Sequence, residues 1–409
     1  MSASFIEYLP NLIANIENKS RSRINLIPSE NMMSQECLSV LSTQLSQRYV
    51  FPGGENTTLY WPGTEDLGEL LKLVENLTLN QFKATQCSVR PLSGLHGMTI
   101  MFSLLKRIGK DVVYLVPFEY GGHGNSRQVA ERFGLEVKYL PFHTESLDID
   151  YQELSNIFPQ KMVGNVAVYI DQWVCLIVPN LSHLKNIFGK DCYIHHDTSH
   201  LMGLIAGGAI PSPLTQKADS FGGSMHKTFP GPQKAVLLWD DLRYSTAITE
   251  EVSVFVSHAH TGAIAALGVA LEGFQAYGCL YAQQVIRNAK ILANELLCNG
   301  IKLAGEHIGY TTTHQVVVDL PASTNLRVLG RNLVNSGISL NFLESGILQC
   351  HCPVRLGVQE ISLLGFQEND VRLLGCQIAR LFKGEILSPR EIIELAQLNA
   401  KCRNNSFIS

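Results

Sequence analysis

The sequence predicts an α/β protein with a mostly parallel sheet, followed by a smaller α+β unit. Two observations carry this. From about 65 to 265, short apolar runs alternate with helical patterns, the signature of crossover units whose strands lie parallel. Beyond a long apolar helical stretch at 262–300, the pattern changes to fewer strands and two closing helices. A chain of 409 residues suits two or three units at roughly 150 residues each. The boundaries fall at 1–64, 65–275 and 276–409.

Taken in order, residues 1–25 form a polar amphipathic helix ending at Ser-Arg-Ser-Arg. "DVVYLVP" (111–117), "EVKYLPF" (136–142), "NVAVYID" (165–171), "CYIHHD" (192–197) and "KAVLLWD" (234–240) are apolar runs bounded by turn residues, and all five read as buried strands. Helices at 94–109 and 125–134 fall between them. After the long helix come a strand run at 311–321, a helix near 325–336, "GISLNF" at 337–342, and helices near 367–383 and 389–402.

Composition narrows the functional class. Apolar residues make up 45% and charged residues 17%, as in a protein with a large packed core, and the net charge is only −4. No basic stripe of the kind nucleic acid requires is present, so the expected partners are small molecules. No run approaches the ~18 apolar residues of a membrane span, and no signal peptide opens the chain. The ten cysteines form no CxxC pair, which fits reduced thiols and a cytoplasmic protein.

Four features should converge where strands end, the place where such sheets bind ligands. Ser93-Gly94 in "RPLSGLHG" opens a helix whose free N–H groups suit a phosphate, though an ordinary N-cap serine reads the same way. Asp197 ends an apolar strand and leads into Thr198-Ser199-His200. His196 and His200 lack the helix that would make them a metal pair, so no metal is expected. Lys227, in "GSMHKTFPGPQKA", follows the strand-like "DSFGGS" and precedes Pro-Gly-Pro. If those two strands are parallel neighbours, Asp197 and Lys227 open into one crevice. Arg355 in "PVRLGVQ" offers a fork for a carboxylate, although alone it reads as a surface ion-pair partner. A phosphate seat, a carboxylate, an amine and a guanidinium are what pyridoxal phosphate chemistry on an amino acid needs. The lysine forms the Schiff base, the aspartate keeps the ring nitrogen protonated, and the arginine holds the substrate carboxylate.

The chain resembles serine hydroxymethyltransferase and its relatives among pyridoxal phosphate enzymes of fold type I. The likeness rests on "NLIPSEN" (25–31), "QRYVFPGGENTTLYWPG" (47–63), "PLSGLHG", "EYGGHGN" (119–125), "HHDTSHLMGLIAGG", "ADSFGGSMHKTFPGP" and "PVRLG". It implies an aspartate aminotransferase-like fold with a seven-stranded, mostly parallel large-domain sheet. Residues 1–64 become an arm and dimer contact. The implied roles are Lys227 as Schiff base, Asp197 as ring-nitrogen partner, Tyr120 as the ring stacked on the cofactor, and His123 or His226 as proton carrier. His226 reads equally as a packed neighbour of the lysine. Ser93, Gly94, Leu95, His200, Ser224, Tyr49 and Gly262 would contact the cofactor. Ser29, Tyr49, Tyr60 and Arg355 would contact the substrate. The site is shared across a homodimer, with "VSHAHTG" (256–262) reaching the neighbour's phosphate, and a tetramer is compatible.

This chain departs from the family at four points. Tyr120 stands where the family stacks a histidine, Leu95 replaces a second serine, and Gln233-Lys234 replaces Arg-Gly. Phe51 occupies the place of the glutamate tied to the folate step, with Glu55 nearby but out of register. The departures point away from tetrahydrofolate, and "HKTFPGPQK" resembles the L-threonine transaldolase branch. The expected enzyme acts on a β-substituted α-amino acid by retro-aldol cleavage and addition to an aldehyde acceptor. The alternatives are folate-dependent serine/glycine hydroxymethyl transfer, elimination or oxidative chemistry in a specialised pathway, and a non-catalytic binding protein of the same fold.

Overall fold

Apolar runs that alternate with helices become a sheet with helices on its faces. A computed structural model describes residues 4–49, 63–158 and 164–408. Its main sheet has seven strands in the order Gln86–Ser88, Ala235–Trp239, Ser220–Ser224, Tyr193–Asp197, Val166–Asp171, Val112–Leu115 and Glu136–Tyr139. The pairings among the last five are parallel, while Ala235–Trp239 runs antiparallel to both of its neighbours. Parallel pairing therefore leaves the C-terminal ends of these strands on one edge, where Asp197 lies and from which the chain leads to Lys227.

Four of the five predicted buried strands form as expected. The fifth, "EVKYLPF", does not stay buried or continuous. Glu136–Tyr139 is the sheet's edge, with Glu136, Lys138 and Tyr139 exposed, which is how edges are kept from further pairing. Pro141 cannot donate to a ladder, and Phe142–His143 pairs instead with Asp148–Ile149 in a small hairpin. The strand Gln86–Ser88 and the helix Glu65–Phe82 complete the large unit.

The predicted long helix runs unbroken from Thr261 to Cys298, through the boundary drawn at 275. By length and hydropathy it could cross a bilayer, yet half of its most apolar window is buried inside the molecule. Its buried face joins the single core that links the large sheet to the C-terminal helices Glu368–Phe382 and Pro389–Arg403. The C-terminal unit has an antiparallel sheet in the order Gln315–Leu320, Cys352–Gly357, Asn341–Phe342. The N-terminal segment docks on this unit. Ile24–Asn25 pairs in parallel with Ile338–Ser339, the Gly357 N–H donates to the Leu26 carbonyl at 2.8 Å, and Gln359 Nε2 donates to the Ile27 and Glu30 carbonyls at 2.7 and 2.6 Å.

Candidate active site

Lys227 lies in the connection between the parallel strand Ser220–Ser224 and the reversed strand Ala235–Trp239. The Met225 N–H donates to the Lys234 carbonyl at 2.8 Å and the Gly231 N–H to the Met225 carbonyl at 2.9 Å, closing the loop. Tyr193–Asp197 and Ser220–Ser224 are parallel neighbours with Asp197 opposite Gly222, so the aspartate and the lysine do open into one crevice. Asp197 is buried. Its Oδ1 accepts from the Ser199 N–H at 2.9 Å, and its Oδ2 accepts from the Tyr169 hydroxyl at 3.3 Å.

Burial lowers the Lys227 amine below its ordinary range and Arg355 adds to this, while Asp197 and Asp171 work against it. Its Nζ is 3.5 Å from His200 Nε2. Burial, then Lys227 and Arg355, hold His200 far below its usual range, so its ring is neutral. His123 caps the helix Gly124–Arg132, its Nδ1 accepting from the Asn125 N–H at 3.3 Å. It too is lowered by burial, with Asp197 opposing and Lys227 assisting, which places it in the field of both groups. His226 has a buried Nδ1 without a partner among the described residues and is pushed down to about 4, first by burial.

The Ser93-Gly94 turn, expected to seat a phosphate, is built by close approach. Ser93 caps the helix Gly94–Arg107 by accepting from the His96 N–H at 3.2 Å. A Cβ on Gly94 would stand 2.5 Å from Ser224 Oγ. The Ser224 N–H donates to Ser199 Oγ at 2.9 Å, so three serines border this helix start. Gly223 has φ +141°, and a Cβ there would stand 2.5 Å from the Ser199 nitrogen.

Arg355 is not a surface ion-pair residue. It is 4% exposed on Cys352–Gly357, with Val317 on one side and Asn341 on the other. One terminal nitrogen donates to the Trp173 carbonyl and the other to Asn341 Oδ1 at 3.2 Å, and the guanidinium sits 4.7 Å from the centre of the Trp173 ring. Its Nε has no partner, and no carboxylate pairs with it among the described residues. Burial pushes it down to about 10. Ser29 is held near this strand by the contacts of its neighbours, and Asn31 Nδ2 reaches the Thr228 carbonyl at 3.4 Å and the Tyr281 hydroxyl at 3.1 Å. "NLIPSEN" thus spans from the arginine strand to the residue after the lysine. Ser29, His226 and Gln233 line one cleft of about 820 Å³.

The other expected residues are held as follows. Tyr120 is stacked on Phe142 at 4.9 Å and its hydroxyl accepts from Gln349 Nε2 at 3.3 Å. The side chain of Leu95 is exposed, leaving only its backbone to serve the phosphate turn. Tyr49 stacks on His258 at 4.0 Å, and Gly262 packs under Ser46, all within one chain. Tyr60, Phe51 and Glu55 lie outside the described residues. The sequence reading missed Asp171, opposite Asp197 in the parallel ladder, together with Trp173 and Gln315. Its only signal was a second apolar strand ending in aspartate, "VYID". Lys234, singled out as a departure, is fully buried. It donates to the carbonyls of Ala259 (2.8 Å), Arg90 (3.3 Å) and Pro91 (3.5 Å), fastening the phosphate turn to the segment before the long helix.

Comparison with known proteins agrees with this architecture. The family profile for serine hydroxymethyltransferase matches residues 6–376. A serine hydroxymethyltransferase of Archaeoglobus fulgidus is 31% identical over 390 residues, covering 92% of this chain and 85% of its own. An L-threonine:uridine-5'-aldehyde transaldolase from a Streptomyces species is 30% identical over 392 residues, covering 94% and 90%. Among solved structures, an L-threonine transaldolase from Pseudomonas fluorescens superposes with a TM-score of 0.86 over 100% of this chain and 93% of its own, at 24% identity, a likeness of fold. With the profile spanning nearly the whole chain and a mostly parallel seven-stranded sheet of fold type I, this protein belongs to the serine hydroxymethyltransferase family.

Proposed function

We propose that the protein is a pyridoxal phosphate enzyme of the transaldolase type, which moves the glycine unit of a β-hydroxy-α-amino acid such as threonine onto an aldehyde. The observation that carries this reading is the buried Arg355, a guanidinium without an acidic partner among the described residues and with a free Nε. A buried cation left this way is a seat for a ligand's carboxylate.

The surrounding residues fit the cofactor. Lys227 has an amine lowered by burial, Asp197 is a buried acceptor beside it, and the cradle at Gly94 admits no side chain. When bound, pyridoxal phosphate supplies the electron sink that weakens bonds at Cα. The chain's own groups do the rest. Arg355 and Ser29 would orient the substrate, and Asp197 would hold the ring nitrogen. His123 has its Nδ1 engaged by the Asn125 N–H, so its other ring nitrogen carries the proton, whereas the buried Nδ1 of His226 has no partner among the described residues and burial keeps that ring neutral. His226 takes the β-hydroxyl proton as Cα–Cβ breaks and acetaldehyde leaves, and returns it to the acceptor's carbonyl oxygen as the new Cα–Cβ bond forms.

Membership of the hydroxymethyltransferase family favours a second reading, serine/glycine interconversion with tetrahydrofolate. Phe51 in place of the family's glutamate, and the relative that is a threonine transaldolase, favour the first. Purified protein incubated with threonine and an aldehyde should release acetaldehyde and form a new β-hydroxy amino acid without folate. Serine formation from glycine that depends on a folate one-carbon donor, with no acetaldehyde from threonine, would reject the transaldolase reading. We further propose a homodimer with shared sites, in which Tyr49, Tyr60 and Gly262 serve the neighbour. Ten free cysteines support a reducing, cytoplasmic setting.

A further inference from the structure

We propose that Gln315 is a positioning residue that fixes the tautomer of His200, leaving an N–H on the ring nitrogen nearer Lys227 and barring that nitrogen from acting as a base. Gln315 opens the strand Gln315–Leu320 and is fully buried. Its Oε1 accepts from the Cys175 N–H at 3.2 Å, and its Nε2 donates to the Trp173 carbonyl at 3.1 Å. Reversing the amide would set oxygen against oxygen and N–H against N–H, so these two backbone groups determine its orientation. The second hydrogen of Nε2 is then directed at His200 Nδ1, 3.1 Å away and nearer than His314 Nε2 at 3.5 Å.

A nitrogen facing a donor must present a lone pair. His200 Nδ1 is therefore the acceptor, and in a neutral ring the proton resides on Nε2. That nitrogen is the one 3.5 Å from Lys227 Nζ. The groups facing His200 reinforce neutrality: Lys227 and Arg355 both oppose its protonation, and His314, stacked at 5.6 Å, is itself held neutral by burial. The carbonyl that Gln315 grips also receives Arg355. One buried amide thus links the group that would bind the substrate carboxylate to the group that faces the amine. His200 can donate to an anionic oxygen beside Lys227 but has no lone pair there to accept a proton.

The kinetic part of this inference rests on the proposed activity, but the tautomer does not. Full-length protein labelled with 15N-histidine, with the His200 resonance assigned by its loss in His200→Asn, reads the two ring nitrogens directly. The wild-type protein should carry the proton on Nε2 and none on Nδ1. Gln315→Met removes the donor at similar volume and should shift His200 toward a mixture of tautomers. It should also lower kcat for amino-acid turnover roughly tenfold or more, the scale seen when an orienting partner of a histidine is removed, with a smaller change in KM. A proton on Nδ1 in the wild type overturns the proposal, whether or not the variant folds. An unchanged His200 spectrum in a folded Gln315→Met protein overturns it too. If the protein turns over no amino acid yet shows the Nε2–H form and its loss in the variant, the function fails and the positioning role stands.

Discussion

Replacing Arg355 by methionine should remove the carboxylate seat while leaving the fold nearly as stable. The guanidinium is 4% exposed and burial pushes it down to about 10, which corresponds to a charging penalty of roughly 3 kcal/mol in the folded state. For a base lowered on folding, the unfolded chain holds the proton more tightly. The penalty is therefore at full size below about pH 10, neutral pH included, and is relieved only above it. Opposing it are the bonds to the Trp173 carbonyl and Asn341 Oδ1, about 1.5 kcal/mol each for a charged donor, and the contact over the Trp173 ring, about 1 kcal/mol or more. These nearly cancel, so urea unfolding at pH 7 should place Arg355→Met within about 2 kcal/mol of the wild type. Loss of a true buried ion-pair partner costs about 3–5 kcal/mol instead. Amino-acid binding should weaken roughly 30-fold or more, the cost of losing a buried charged partner. A variant that unfolds 3–5 kcal/mol more easily yet binds the amino acid normally would show that Arg355 is a structural cation.

Gly223→Ala places a Cβ 2.5 Å from the Ser199 nitrogen at φ +141°; it should destabilise by roughly 2–5 kcal/mol, read from the denaturation midpoint, and a loss under 1 kcal/mol would contradict the packing described. Burial, then Arg90, pushes Lys234 down to about 7. The unfolded chain thus binds one more proton above that pH, and this residue adds stability as pH rises from 7. Lys234→Met should abolish roughly 2 kcal/mol of the rise between pH 7 and 9, and parallel stability curves for the two proteins would refute it. Asp171 is pushed well above the usual carboxylate range by burial and then by Asp197, which favours its neutral form. Asp171→Asn should change stability by no more than about 1 kcal/mol, whereas Asp197→Asn should cut cofactor retention, measured by absorbance after dialysis, about tenfold.

What could be read in the sequence was what is encoded locally. Asp197 announces itself because an apolar strand stops on a carboxylate, and Lys227 because two glycines and Pro-Gly-Pro flank it. Pairing of Tyr193–Asp197 with Ser220–Ser224 then brings them together. The partner of Tyr120 was not legible, because its ring stacks on Phe142, more than twenty residues on, in a hairpin that Pro141 splits from the sheet. For Arg355 the residue type was legible, but its burial depends on Trp173 and Asn341, which nothing near "PVRLG" specifies. Gln315 left a faint trace, one amide at the head of the apolar run "VVVDL". A polar side chain at such a place must find partners, yet the sequence alone does not say that they are Cys175, Trp173 and His200.

The pairing of Ile24–Asn25 with Ile338–Ser339 has a consequence for biosynthesis. The two segments are separated by more than three hundred residues, so at about 5–20 residues per second the first waits tens of seconds on the ribosome for its mate. Throughout that interval "NLIPSEN" has neither the arginine strand nor Gln359 to hold it. The cleft lined by Ser29, His226 and Gln233 therefore closes only near the end of translation. A nascent chain stalled before residue 340 should carry the lysine and aspartate with the amine still open to solvent, and labelling of that amine on stalled chains would time the closing of the site.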